Sequence, residues 1–150
     1  MRIDEGRLPR ITAVKPTGGK RVELQFDNGK TFTVNLQDLM ERSRLKKLSL
    51  MTARIFARVS LGEGGHSIEW PDEVDIGADT LFQLALEQNG HADTAEFIRW
   101  RWKHGLSLTK AAEALGLSRR TIAYYSSGEE PVSRIVLLAC KGWEAEQKAA

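Results

Sequence analysis

Arg119, Arg120 and Tyr124 are the side chains of this sequence best suited to recognising a ligand. They lie on a short helical pattern that begins after Ser118 and stops at Gly128. On a helical wheel Ser118, Ile122 and Tyr125 share one side; Arg120, Ala123 and Tyr124 share the other, with Arg119 on the flank. A planar guanidinium presents paired donors that match the O6 and N7 acceptors of guanine in the major groove. Tyr124 either stacks on a sugar or thymine methyl, or packs back along Arg120, and small Ala123 lets the helix approach closely. Arginine in a first helical turn opposes the helix dipole, a small cost that a purely structural surface would avoid. The chemistry implied is non-catalytic recognition of double-stranded DNA.

Other reactive groups fall short of a catalytic set. Trp70-Pro71 is followed by the carboxylates Asp72, Glu73 and Asp75, which read as a hairpin end with a buried tryptophan and solvated acids rather than as acid/base chemistry. His66, His91 and His104 are scattered, without metal-ligand spacing. No serine–histidine, cysteine–histidine or phosphate-loop arrangement stands out. The single cysteine, Cys140, reads as a small buried helix residue. No enzyme activity, cofactor or metal is expected.

The elements that must position the arginines can be read from their punctuation. Ser107 caps a first helix whose Leu108, Ala112 and Leu115 share a face, and Gly116 ends it. Ser118 caps the helix that carries Arg119 and Arg120, and is a further phosphate candidate. Thr109 and Lys110, at the start of the first helix, are candidate phosphate contacts. Upstream, Asp93 and Glu96 have capping-box spacing for a helix running to His104, stopped by Gly105. Trp100 and Trp102, two apart on that helix, cannot both face one core. Downstream, Pro131 suits the start of a last helix, with Ile135, Val136, Leu138 and Ala139 as its buried side.

The N-terminal half reads as sheet. Ile11 and Ala13 begin a strand that Pro16 and Gly18-Gly19 interrupt. Val22, Leu24 and Phe26, then Phe32, Val34 and Leu36, alternate with polar residues on either side of Asp27-Asn28-Gly29-Lys30. A two-residue turn would put the two apolar sets on opposite faces. A three-residue loop, Asp27 to Gly29, pairs Leu24 with Phe32 and Val22 with Val34, with Gly29 at positive φ. A short helix and irregular turn occupy Leu36 to Leu50, with Arg42, Arg44, Lys46 and Lys47. Ile55, Ala57, Val59 and Leu61 alternate into a second hairpin with His66 to Trp70, which Pro71 ends. Asp79 caps a helix to about Gln88, with Leu81, Leu84 and Ala85 inward.

Charge divides the 150 residues in three. Residues 1–59 hold 13 Lys/Arg against 6 Asp/Glu (net +7), residues 60–96 none against 9 (−9), and residues 97–150 nine against five (+4). A phosphate backbone is attracted to the last segment and repelled by the middle one. No apolar run is long enough for a membrane helix, and the first residues lack the apolar core of a signal peptide. With one cysteine, no internal disulfide forms, which fits a reducing cytoplasm. Composition shifts at Asn89-Gly90, so we expect residues 1–89 and 90–150 to be separate domains. The fold class expected is α+β: a hairpin-rich α+β domain followed by an all-α domain.

Two resemblances add to this reading. Residues from about 97 to 142 resemble the phage-repressor (Xre-type, lambda-repressor-like) helix-turn-helix domains, through Ala112, Gly116, Ser118, Ile122 and the Gly128…Pro131 exit. That resemblance implies base contacts from Arg119, Arg120 and Tyr124, and a phosphate-bracing role for Arg101. Two positions depart from it: Leu108 stands where a phosphate-binding glutamine is common, and Ser126 where a glutamate commonly pairs with the arginine of the preceding helix. Residues from about 8 to 86 resemble a family of small uncharacterised bacterial domains through PRITAVKP, LQFDNGKTFTVNL and IEWPDEVDIGADTLF. This second resemblance implies an α+β fold and no activity. Its members fused to a repressor-like domain resemble DNA-binding proteins, and some stand-alone members sit in gene pairs reminiscent of toxin–antitoxin modules.

The expectation is thus a bacterial transcriptional regulator without a membrane segment. A single small reading head binds weakly, so we expect a homodimer on a pseudo-palindrome with half-sites about 34–36 Å apart. The alternative is a protein-interaction or antitoxin-like module whose acidic 60–96 segment meets a small basic protein.

Overall fold

A computed structural model of the chain describes residues 9–43 and 46–150; Arg44, one of the basic residues expected after the first hairpin, lies outside them. The chain divides into two compact units, Leu8–Asn89 and one that takes in Gly90–Ala150.

The first unit is built on two three-stranded antiparallel sheets. Strands β1 (Ile11–Gly18), β2 (Arg21–Phe26) and β3 (Thr31–Asn35) pair in the order β1-β2-β3. Leu24 opposes Phe32 and Val22 opposes Val34. The Phe26 N–H bonds the Lys30 carbonyl (2.8 Å), which closes a three-residue loop, and Gly29 has φ 85°. Val22, Leu24, Phe26 and Val34 are accordingly all buried on one face, as the three-residue loop requires. Strand β1 does not break at Pro16 but runs through it, with Pro16 opposite Val22. It is an edge strand, so the missing proline N–H costs no ladder bond.

Three short helices follow, α1 (Gln37–Glu41), α2 (Lys46–Ser49) and α3 (Ala53–Phe56). The last corrects the expected strand over 55–61. The Thr52 hydroxyl accepts from the Ile55 N–H and caps a helical turn, which buries Phe56 and leaves Ile55 exposed. Only Ser60–Leu61 (β4) pairs, with β5 (Ser67–Trp70). Pro71 does not end this sheet. It opens a turn in which Asp72 and Glu73 take positive φ, and a further strand, β6 (Val74–Gly77), returns along β5. The Trp70 ring is buried against Phe56, and its indole N–H bonds the Phe56 carbonyl (3.0 Å).

Helix α4 (Ala78–Gln88) closes the unit, burying Leu81, Phe82, Ala85 and Leu86, with Phe82 edge-on to Phe26. Leu84, expected inside, is only half-buried. Gly77 rather than Asp79 occupies the cap position, and the Asp79 carboxylate bonds the neighbouring Thr80 N–H. At the other end the Gln88 side-chain amide brackets the Asn35 peptide, accepting from its N–H (2.7 Å) and donating to its carbonyl (2.9 Å). Gln88 thereby occupies part of the open edge of β3.

The second unit is helical: α5 (Ala92–Lys103), α6 (Leu108–Leu115), α7 (Arg119–Ser127) and α8 (Arg134–Ala149). Its core gathers Phe97, Trp100, Leu108, Ala111, Ala112, Ile122, Ala123, Val132 and Cys140. Trp100 is the buried member of the tryptophan pair, edge-on to Trp143, and Trp102 is half-buried. Asp93 is not a helix cap. It lies one residue inside α5, and its carboxylate takes the Val132 N–H (2.7 Å), fixing the approach to α8. The start of α8 is likewise set by Ser133, whose hydroxyl accepts from the Val136 N–H, three residues beyond the start that Pro131 suggested. Along α8 the buried side is Cys140 with part of Val136, Leu137 and Trp143. Ile135, Leu138 and Ala139, expected inside, face solvent.

Candidate nucleic-acid interface

Two capped helices and the turn between them hold the arginines. The Ser107 hydroxyl accepts from the Lys110 N–H (3.1 Å), starting α6 where its first residue, Leu108, is 1 % exposed and anchored in the core. Gly116 ends α6 at φ 69°, and the next N–H, of Leu117, reaches back to the Ala112 carbonyl (3.0 Å). That left-handed residue reverses the chain within three residues, a conformation that costs a side chain but not glycine. The Ser118 hydroxyl then accepts from the Thr121 N–H (3.1 Å) and starts α7. Gly128 (φ 82°) ends α7.

Packing fixes how α7 is turned. Ile122 is fully buried, and Tyr125 meets Phe97 edge-on at 5.4 Å between ring centres. Burial of an isoleucine is worth about 2–3 kcal/mol, so this face cannot rotate outward without a large loss. The opposite face at the helix start therefore presents Arg119 and Arg120, both exposed, with Tyr124 half-buried beside them. The Arg120 Nε donates to the Tyr124 hydroxyl (2.8 Å), and its guanidinium lies 5.4 Å from the ring centre. The hydrogen bond to Tyr124 raises the Arg120 pKa above its ordinary value, and this cation stays charged. Of the two sequence readings of Tyr124, the structure has the ring packed along Arg120.

Thr109 and Lys110 are exposed at the start of α6, and Ser118 is exposed at the start of α7. Lys110 is 3.6 Å from Glu113, one turn along α6, an exposed pair of little energetic weight. Ser118 adjoins Arg119 and Arg120 at the start of α7, whereas Thr109 and Lys110 lie at the far end of α6 from the turn.

Two expected contacts fall elsewhere. Ala123 is 8 % exposed and belongs to the core, because a residue next to Ile122 on a helix packed on two sides is drawn under its neighbours. Arg101 is 4 % exposed. Its Nη1 donates to the Leu106 carbonyl (3.1 Å), while the Leu106 N–H bonds the Arg101 carbonyl (2.9 Å). Burial lowers its pKa. Arg101 is thus an internal brace of the α5–α6 turn rather than a surface cation. The departures at Leu108 and Ser126 also point inward: Leu108 is core, and the Ser126 hydroxyl is buried without a hydrogen bond among the described residues. A sequence signal for Arg101 existed in its place between Ile98 and Trp102, one helical turn from buried Phe97.

Taken together, these features define an α+β unit joined to a four-helix unit that displays a small basic edge. The family described as "Protein of unknown function (DUF2442)" matches residues 11–87. The chain belongs to this family. It is also similar to the crystal structure of a "putative DNA binding protein" from Nitrosomonas europaea, with 35% sequence identity and a TM-score of 0.69, over 95% of this chain and 91% of that one. No curated protein matches the chain. Among the described residues, no helix is long and apolar enough to cross a membrane, and no group of three or more His, Cys, Asp or Glu could hold a metal ion.

Proposed function

We propose that this is a non-catalytic, cytoplasmic, sequence-specific DNA-binding protein, acting as a transcriptional regulator. In this reading α6 and α7 form a helix-turn-helix of the phage-repressor class. Helix α7 enters the major groove with Arg119 and Arg120 at base edges, and Tyr124 orients Arg120. Thr109, Lys110 and Ser118 take phosphates at the two helix starts. The observation that carries the reading is the pair of exposed arginines at the capped start of a helix whose opposite face is locked into the core. The DNA-binding description of the N. europaea protein, similar over nearly the whole chain, supports it. Two copies acting on a pseudo-palindrome would supply the affinity that one small head lacks.

A second reading is favoured by the exposed carboxylates Glu69, Asp72, Glu73 and Asp75 on β5, β6 and the turn between them. It makes the first unit a docking surface for a small basic protein, as in an antitoxin-like pair. Selection of bound duplexes from a random pool, read at two salt concentrations, tests the two. Enrichment of a defined motif with a steep salt dependence supports DNA recognition. No enrichment, with an equimolar small basic protein copurifying, supports the second.

A further inference from the structure

Helix α8 is apolar on two opposite sides, and among the described residues only one of them is packed. Val136, Leu137, Cys140 and Trp143 face the core of the helical unit. On the other side Ile135, Leu138, Gly142 and Ala145 recur at intervals of three, four and three residues, all exposed. Ile135 is 79 % and Leu138 50 % exposed, the two large hydrophobic residues left in solvent among the described residues of this unit. The spacing is that of the a and d positions of a two-stranded helical seam.

Nothing among the described residues explains Gly142. It sits in mid-helix at an ordinary helical φ, and no described atom lies within 4 Å of where its Cβ would stand. A mid-helix glycine costs about 1 kcal/mol against alanine. A second helix laid over the stripe supplies the missing reason, because glycine lets two backbones approach closely.

The flanking charges choose the occupant and its direction. Arg134, Lys141 and Lys148 lie along one flank of the stripe, and Glu146 lies on the other beside Ala139. An antiparallel pairing of two copies would set the basic flank against itself. A parallel pairing sets Lys141 of each copy against Glu146 of the other, the offset at which interhelical ion pairs fix orientation. Lys141 is exposed and only 3.9 Å from Glu96 of its own chain, a weak surface pair that it can exchange.

We propose that the outer face of α8 is a self-association surface, on which two copies of this chain pair in parallel through Ile135, Leu138, Gly142 and Ala145, with Lys141–Glu146 ion pairs on both sides. This deepens the homodimer within the proposed function but does not need DNA. Two heptads bury little area, so the dimer is weak and reversible.

Sedimentation equilibrium of the full chain without DNA, over a wide concentration range, tests it. The wild type is expected to pass reversibly from monomer to dimer. Leu138→Lys is expected to stay monomeric with unchanged circular dichroism, since the residue is exposed. Gly142→Ala is expected to raise the melting temperature of the monomer while weakening the dimer. Lys141→Glu and Glu146→Lys are each expected to weaken association about ten-fold, and the double swap K141E/E146K to restore it. A wild type that sediments as a monomer throughout, or a dimer that Leu138→Lys leaves intact, overturns the surface. A double swap that fails to restore association overturns the parallel pairing. A chain that dimerises in this way yet shifts no duplex in a gel leaves the pairing standing and removes the DNA reading instead.

Discussion

The Arg120 Nε donates to the Tyr124 hydroxyl across one turn of α7, with the guanidinium 5.4 Å from the tyrosine ring centre. A long, flexible cation at the exposed start of a helix is thereby held in one direction, and less side-chain entropy remains to be lost on binding.

Charge reversal of both, R119E/R120E, is expected to abolish binding to the selected duplex. Each guanidinium that reads a guanine contributes about 1–3 kcal/mol of discrimination. Because both side chains are exposed, the melting temperature should be nearly unchanged. A gel shift of wild-type affinity from the double variant would sink the groove-helix reading.

Tyr124→Phe keeps the ring and removes the acceptor that orients Arg120. We expect stability to change by less than about 1 kcal/mol, as for an exposed hydrogen bond. The sequence preference at the base facing Arg120 should broaden, while contacts to phosphates are kept. Parallel selections with the two proteins measure this directly; an identical motif from both would assign Arg120 a phosphate instead.

Arg101 and Lys110 should separate in a way that their shared positive charge hides. Arg101→Met removes the internal brace on the Leu106 carbonyl, and is expected to cost about 1–3 kcal/mol in a denaturant melt. The salt slope of DNA binding should not move. Lys110→Ala should leave the melt alone and reduce that slope by about one. The reverse outcome would return Arg101 to the interface.

The hydroxyl of Ser118 accepts from the Thr121 N–H and sets the start of α7. Ser118→Ala is expected to lower stability by about 1 kcal/mol and Ser118→Gly by a few tenths. A DNA contact from the same hydroxyl would show as an affinity loss in Ser118→Gly well beyond its stability loss.

Burial, helped by the charges of Glu144 and Glu96, pushes the Cys140 thiol up to about 12. The native state therefore favours the thiol, and the unfolded chain ionises first, near its ordinary value of about 8.5. This contribution is fully present below about pH 8.5 and is lost as pH rises toward about 12. Between pH 7.5 and 10 the wild type should lose more stability than Cys140→Ala. Iodoacetamide should label the native protein slowly at pH 8.5 and the unfolded chain rapidly. Rapid labelling of the native protein would contradict this.

Much of the local structure could be read in advance because it is chemically local. Ser107, Ser118, Gly116 and Gly128 each act on a backbone group within a few residues, and the parity of Val22, Leu24, Phe32 and Val34 allowed only one hairpin register. Where neighbours distant in the chain decide, local pattern and structure part company. Residues 55–61 alternate like a strand, yet the Thr52 cap and the burial of Phe56 against Trp70 make a helical turn of their first part. Asp93 has the spacing of a cap, but Val132, 39 residues on, claims its carboxylate.

The site divides along the same line. That α7 is a helix, with Ile122 inside and Arg120 outside, follows from periodicity and capping alone, since a helix of this composition has one apolar face. Which remaining residues are withdrawn depends on what packs around them, and periodicity carries no information about that. Ala123 sinks between packed helices, Arg101 turns inward to the Leu106 carbonyl, and Leu138 is left in solvent on a helix whose core side is Cys140. A chain of 150 residues states its helix faces; only the assembled helices decide how much of each face is covered.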